Sequence, residues 1–384
     1  MTEFERRHVG FNKPYLTGKE TEYILESVKS RKISGDGVFT KKCHDFFEKR
    51  FGFNKVLLTT SCTDALEMAA ILINTSQGDE IIAPAYTFVS SVNAFVLRGA
   101  KIVFCDSEEK SPNIDVKKIE ELITPKTKAI VVVHYAGMAV DMDPIMKLAQ
   151  KHNIYVIEDA AHSIDSYYKG RPLGSIGHLA AFSFHETKNV ISGEGGMLVI
   201  NDESFAKRAE IIREKGTNRS AFFRGEVDKY GWVDIGSSFL PSDIIAAFLF
   251  AQLENLDDIQ SKRKQIWDYY YDNLKDLADA GYFQFAEIPE YATNNAHMFY
   301  ILCRNLEERN KLIAYLKENT IYAVFHYLSL NKSEYFKNQS DGREMPHSDK
   351  YTDTLLRLPM YYELSKDDLD YVISHIRKFY LTTD

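Results

Sequence analysis

Two short segments put an acid and an amine where they could act together. Glu158–His162 reads EDAAH after an apolar run, and Ser183–Gly196 reads SFHETKNVISGEGG, with Lys188 between a second apolar run and a glycine-rich turn. Singly, neither says much: Asp159 could be a helix cap, for which Asp is favoured, and most lysines are solvated surface groups. Together, about thirty residues apart and each just beyond a strand, they could share one edge of a sheet. Thr59–Leu66 (TTSCTDAL) runs from a strand directly into a helix. Small hydroxyl residues there are N-caps by default, yet the unsatisfied N–H groups and the macrodipole also make such a turn an anion site. Ser61, Cys62 and Thr63 are therefore candidates to hold a phosphate. Pro84–Phe88 (PAYTF) follows the next strand, and Phe88 is either core or an aromatic that stacks on a planar ligand ring.

These parts fit the needs of pyridoxal 5'-phosphate (PLP). A desolvated lysine has the lowered pKa that lets it form an imine with the cofactor aldehyde. A carboxylate keeps the pyridine nitrogen protonated, so that the ring accepts electrons from the substrate carbon. The same lysine, once displaced, can move the proton between substrate and cofactor carbons. Lys188 and Asp159 are the candidates for these two catalytic roles.

The elements that must position them alternate from about Val56 onward. Strand-like runs at 55–60, 80–83, 101–105, 129–134, 154–158, 179–184 and 197–201 are separated by helical stretches at 63–74, 88–97 and 141–153. Strands joined through helices imply crossover units and a largely parallel sheet, with ligands beyond the strands' carboxyl ends. The expected fold is α/β: a large domain, 1–250, with a mostly parallel sheet flanked by helices, and a smaller α+β domain, 251–384. In the second part, helices are expected at 242–253, 257–280, 306–319 and 365–380, with a strand at 298–303. Residues 331–347 are polar and irregular and read as a surface loop, either a substrate lid or a solvated connection.

The chain has 384 residues with a formal net charge of −8, and no stretch concentrates Lys and Arg into a nucleic-acid footprint. Cys43, Cys62, Cys105 and Cys303 form no CxxC pair and no metal-ligand spacing, so no metal is expected. Met1–Gly10 is polar, without the apolar centre of a secretion signal, and no window has the apolar length of a membrane span. The expectation is a cytoplasmic protein that binds neither membrane nor nucleic acid.

EDAAH, SFHETKN with GEGG, SGDGVFT (34–40), TSCTDALEMAA (60–70) and PAYTFVSSVNAF (84–95) together resemble the DegT/StrS family of nucleotide-sugar aminotransferases, from about Phe11 to the C-terminus. DIGSSFLPSD (234–243), NNAHMFYI (294–301) and VFHY (324–327) resemble a subgroup acting on TDP-linked 4-keto-6-deoxyhexoses. The resemblance implies a PLP-dependent aminotransferase of fold type I, a homodimer with active sites shared between subunits. It implies L-glutamate as amino donor and TDP-4-keto-6-deoxy-D-glucose as acceptor, giving TDP-4-amino-4,6-dideoxy-D-galactose. Residue by residue, Lys188 matches the Schiff-base lysine, Asp159 the partner of the pyridine nitrogen and Phe88 the ring-stacking aromatic. Ser183 and Ser61–Thr63 match phosphate contacts. His162 stands where the family usually has Gln near the cofactor hydroxyl. Ser238-Phe239-Leu240 replaces the Asn-Tyr-Arg of many members, so Ser238 would take over the contact to the neighbouring subunit's phosphate, and one arginine anchor for an anionic group is missing. His297, His326 and Tyr327 match substrate-side positions, although a His or Tyr in a second domain is more often core or surface than ligand.

Rival readings are an aminotransferase for a 3-keto or UDP-linked sugar and a non-catalytic PLP or nucleotide-sugar binding protein. The related sugar dehydratases carry His in place of the lysine, which Lys188 excludes. No GxGxxG follows the first strands, so a Rossmann dehydrogenase fits poorly.

Overall fold

The computed structural model describes residues 7–339 and 341–382; the first six residues of the polar opening read at Met1–Gly10 lie outside the described residues. The strands are β1 (Lys55–Thr59), β2 (Glu80–Pro84), β3 (Lys101–Cys105), β4 (Thr127–Val133), β5 (Tyr155–Asp159), a small hairpin β6 (Tyr167–Tyr168) and β7 (Arg171–Pro172), β8 (Leu179–Ser183), β9 (Gly196–Ile200), β10 (Gln284–Phe285), β11 (Tyr300–Leu302), β12 (Val324–Phe325) and β13 (Leu355–Arg357). Seven of them make one sheet in the order β1-β9-β8-β5-β4-β2-β3. β3, β2, β4, β5 and β8 pair in parallel, and β9 runs antiparallel to both β8 and β1. β2 and β9 are buried at every position, as a sheet covered on both faces requires.

The helices are α1 (Glu20–Lys29), α2 (Val38–Phe51), α3 (Cys62–Leu72), α4 (Ser90–Val96), α5 (Met142–His152), α6 (Ala206–Arg213), α7 (Arg219–Phe223), α8 (Asp243–Leu253), α9 (Leu256–Asp279), α10 (Leu306–Glu318), α11 (Pro346–Thr354) and α12 (Lys366–Thr382). One face of the large sheet packs Leu57, Ile81 and Leu198 with Ala and Leu residues of α3. Elsewhere Val56, Phe182 and Val199 pack with Phe47 of α2 and Leu249 of α8. A second sheet, β10-β11-β13-β12, is antiparallel throughout. Its core takes Ile301 and Leu356 from the strands, Leu312 from α10 and Ile376 from α12. Helix α9 joins the two cores: Leu256 and Ile259 belong to the first, and Trp267, Tyr270 and Leu274 to the second. Near the N-terminus, Val9 bridges Ile321 and is buried in the second core.

Every strand and helix named from the sequence is present, with shifts of a few residues. The helix expected from Phe88 begins at Ser90, which leaves Phe88 on the turn before it. Helices α1, α2, α6, α7 and α11 lie outside the stretches that the sequence marks as helical. The described residues of 331–347 are mostly exposed, as a surface loop's would be, but the segment is anchored at a few points. Phe336 meets Phe104 edge-on at 5.1 Å, Met345 is buried, and just before the segment the Leu330 N–H donates to the Ala85 carbonyl at 2.8 Å. Its few apolar residues are too far apart to show a period, yet Phe336 and Met345 reach the core while Tyr335 stays exposed.

Candidate active site

The carboxyl ends of β1, β2, β4, β5 and β8 share one edge of the large sheet, because these strands all run the same way. Beyond that edge lies a cavity of about 670 Å³. Ser61, Cys62, Thr63, Phe88, Asp159, His162, Ser183 and Lys188 line it from the large sheet, and His297, His326 and Tyr327 from the second unit. Of the residues singled out in the sequence, only Ser238 lies elsewhere: it is exposed and bridges Glu214.

Asp159 ends β5 and is buried. It accepts hydrogen bonds from Ser91 Oγ at 2.6 Å and from the Ala161 N–H at 3.1 Å. Burial pushes its carboxyl above the usual range, against the pull of those two bonds and of the Lys188 charge. Among the described residues no cation lies within ion-pair distance of it. Its neighbour Glu158 faces the other way and has a different task. It accepts from His134 Nε2 at 2.9 Å and from the N–H groups of Gly174 and Ile176 at 2.8 Å each, which ties the 174–177 turn to β5.

Lys188 follows β8, and desolvation, aided by the Arg357 guanidinium and opposed by Cys62 and Asp159, lowers its amine to about 8. A lysine in this state is part neutral near physiological pH and so available as a nucleophile. Cys62 itself is held as a thiol by burial.

The anion cradle forms where β1 turns into α3. Ser61 caps the helix, its Oγ accepting from the Asp64 N–H at 3.0 Å. The Thr63 hydroxyl donates to Ser90 Oγ at 2.9 Å. Gly196 passes this turn so closely that a Cβ there would sit 2.3 Å from the Ser61 carbonyl carbon and 2.4 Å from Cys62 N. Only glycine keeps the helix end open.

His162 Nδ1 accepts from the Ala136 N–H at 3.3 Å, so its neutral ring carries the proton on Nε2. Burial, then the Lys188 charge, hold it well below the ordinary histidine value and therefore neutral. His297 stacks on His162 at 4.3 Å, and its Nδ1 bonds Asn189 Oδ1 at 2.8 Å. The Asn189 amide is turned by its own donation to Gln260 and to the Asn295 carbonyl, so Nδ1 of His297 is the donor. Behind them, Gly137 is in the left-handed region, where a Cβ would meet Asn295 Oδ1 at 2.1 Å. His326 accepts from Arg357 on Nε2 at 3.4 Å and meets the Tyr135 hydroxyl through Nδ1 at 3.0 Å. Phe88 is half exposed, with its ring 5.9 Å from that of Tyr327.

Several lining residues are not singled out by the sequence, and three of them matter for the charges of the site. Ser91 and Thr87, whose hydroxyls lie 2.8 Å apart beside Asp159, sit within PAYTFVSS and could have been read from their position after β2. Arg357 comes from β13, which has no motif around it. Among the described residues no cluster of metal-ligating side chains is found, and no helix is long and apolar enough to cross a membrane.

These residues suit PLP. A buried carboxylate without a counterion faces the cavity where a pyridinium would offset it, a part-neutral lysine faces the same space, and an open helix end stands ready for a phosphate. Fold and site thus define the class: a PLP-dependent aminotransferase with an α/β large domain. The chain belongs to the DegT/DnrJ/EryC1/StrS aminotransferase family, whose pattern it matches over residues 14–377. It is 32% identical over 383 residues to the GDP-perosamine synthase of Escherichia coli O157:H7, covering 97% of this chain and 99% of that one. It is also 32% identical to the spore coat polysaccharide biosynthesis protein SpsC of Bacillus subtilis, with 98% of each chain covered. A Streptococcus pneumoniae protein assigned as a sugar aminotransferase superposes in its PMP form with a TM-score of 0.90 at 26% identity, over 97% of this chain and 99% of that one. The same protein has also been solved in a PLP form. The chain is accordingly a nucleotide-sugar aminotransferase that uses PLP.

Proposed function

We propose that this enzyme moves the amino group of L-glutamate onto C4 of a nucleotide-linked 4-keto-6-deoxyhexose. The overall exchange gives 2-oxoglutarate and the 4-amino sugar; the acceptor is TDP-4-keto-6-deoxy-D-glucose and the product TDP-4-amino-4,6-dideoxy-D-galactose. The observation that carries the transamination is the pairing of Lys188 and Asp159 in one cavity, neither with a counterion among the described residues. When bound, PLP supplies an aldehyde that takes up the amine and a ring that accepts electrons.

The residues of the chain do the rest. Asp159 holds a proton on the pyridine nitrogen, and Ser91 holds the Asp159 carboxylate in place. Lys188 anchors the cofactor and, once released, carries the proton to and from the substrate carbon. Ser61, Cys62, Thr63 and Ser183 hold the phosphate, and Phe88 covers the ring. His162 offers Nε2–H to the cofactor hydroxyl, with its ring orientation fixed by His297. His326 and Tyr327 face the sugar from the second unit. The two-unit division, 1–250 and 251–384, belongs to the same reading, as does the cytoplasmic location.

The enzyme works as a homodimer, with Ser238 of each subunit completing the phosphate site of the other. In support, Phe223, Tyr230, Trp232 and Val233 are all exposed on the segment that leads to Ser238, an apolar patch suited to burial against a second copy.

The nucleotide has one specific competitor. Two relatives are GDP-perosamine synthases, which favours GDP as the second reading. Product analysis by NMR, with PLP, glutamate and either TDP- or GDP-linked 4-keto-6-deoxyhexose, tests both. An axial 4-amine on the TDP sugar supports the proposal. An equatorial amine or a 3-amino sugar sinks the specific product, and turnover of the GDP sugar alone moves the assignment to the second reading.

A further inference from the structure

Arg357 is the cavity's only arginine and has no carboxylate partner among the described residues. Its Nε is shut off from solvent without a hydrogen-bond acceptor, one Nη donates to the neutral His326 at 3.4 Å, and the guanidinium lies over the Phe11 ring at 4.8 Å. Other interior arginines are compensated. Arg213, whose Nε is likewise without an acceptor, has the Asp36 carboxylate at 2.6 Å, and Arg263 donates to the carbonyls of Ala296 at 3.0 Å and His297 at 2.6 Å. The ionisable groups near Arg357 are Tyr135, Tyr327 and Tyr86, with Lys188, His162, His297, His326 and Arg263; none of these supplies a negative charge. A planar guanidinium left with donors to spare in a cavity is suited to a carboxylate or phosphate that arrives with a ligand.

Position decides between those. The cofactor phosphate has its own cradle at the end of α3, on the large sheet, whereas Arg357 comes from β13 of the second unit. Arg357 and Lys188 line the same cavity, so the guanidinium shares its space with the amine that reacts. In a keto sugar the diphosphate hangs from C1, with the ring between it and C4. In an amino acid a carboxylate is bonded to the reacting carbon itself. Resting on the transaminase reading above, we infer that Arg357 is the anchor for the α-carboxylate of the amino-acid donor. It replaces the arginine that the Ser238-Phe239-Leu240 segment lacks, and gives up the donor carboxylate when the nucleotide sugar takes its turn.

The test compares wild type, Arg357→Gln and Arg357→Lys holoenzymes with glutamate, with 4-aminobutyrate (glutamate without its α-carboxylate) and with the nucleotide sugar. The glutamate half-reaction is followed by loss of the visible cofactor band, and both KM values by steady-state turnover. Arg357→Gln is expected to raise the glutamate KM by roughly 10- to 150-fold, the range of a charge-assisted hydrogen bond. The nucleotide-sugar KM should stay within about twofold, and the preference for glutamate over 4-aminobutyrate should fall by the same factor as glutamate binding. Arg357→Lys should recover part of it. An unchanged glutamate KM, an equal loss for both substrates or an effect on the sugar alone overturns the inference. A wild-type enzyme whose band ignores glutamate fails the transaminase reading itself, before any variant is made.

Discussion

The pH dependence of cofactor capture tests the chemistry of Lys188 directly. An amine with its midpoint at about 8 is half neutral at pH 8, whereas at the ordinary 10.5 it would be roughly 0.3% neutral. Only the neutral amine attacks an aldehyde, so the cavity raises the reactive fraction at that pH by roughly 150-fold over an ordinary lysine. Stopped-flow mixing of cofactor-free protein with PLP, from pH 6 to 11, should give a capture rate that rises through a midpoint near 8 and then levels off. The same groups make a linked prediction for stability. In the cofactor-free protein the unfolded lysine keeps its proton up to about 10.5 and the folded one releases it from about 8, so the unfolded state binds more protons between those values and stability rises with pH across that window. Below it the penalty is present in full, and Lys188→Met should remove both penalty and slope. A capture midpoint at or above 10 would refute the reasoning, because the amine would then be neither desolvated nor opposed by Arg357.

Asp159→Asn should leave the cofactor-free fold as stable as wild type or more so, since it removes a buried charge without a counterion, while turnover falls by at least about 100-fold; thermal unfolding and turnover measured on one preparation check it. Glu158→Ala, one residue away, should do the opposite kind of damage, costing about 3–5 kcal/mol in urea unfolding because the backbone donors of Gly174 and Ile176 lose their acceptor. Gly196→Ala should weaken PLP binding far more than it lowers Tm, because the new methyl presses on the Ser61–Cys62 turn; equilibrium dialysis of PLP reads it. Phe336→Ala should cost about 1–3 kcal/mol and open the 331–347 segment to protease, the response of a packed segment and not of a free loop.

Much of this site could be read from the sequence because it is built where regular structure ends. Asp159 and Lys188 each follow a β-branched or apolar run, and once those runs are taken as parallel strands their ends meet at one edge. The phosphate turn was legible for the same reason. What stayed hidden depends on contacts without a local signature. Glu158 and Asp159 are adjacent acids on one strand, and nothing in EDAAH says which points into the cavity and which holds the 174–177 turn. Arg357 ends a three-residue strand in a part of the chain whose register comes only from pairing with β11 and β12. Helix α1 carries no apolar signal because so little of it faces inward: Glu20 and Ser27 are its buried residues, while Leu25 and Val28 are exposed.

The unpaired charges of the cavity have a common logic. A protein folding only for stability would neutralise a buried carboxylate, a desolvated lysine and an interior guanidinium against one another, and here the space between them keeps them apart. Asp159 and Lys188 influence each other's titration yet form no ion pair, and Arg357 destabilises the charge on Lys188 instead of sharing a carboxylate with it. Each group is therefore left in a state that a ligand can relieve: the carboxylate by a protonated ring nitrogen, the lysine by an aldehyde, the guanidinium by a carboxylate. The cost falls on the empty fold and is recovered on binding, which is the condition for a site to bind tightly and still react. It follows that cofactor and a dicarboxylate together should raise Tm by more than the sum of their separate effects. Each relieves charge that the other's binding site feels, and a strictly additive shift would show that the three groups act independently.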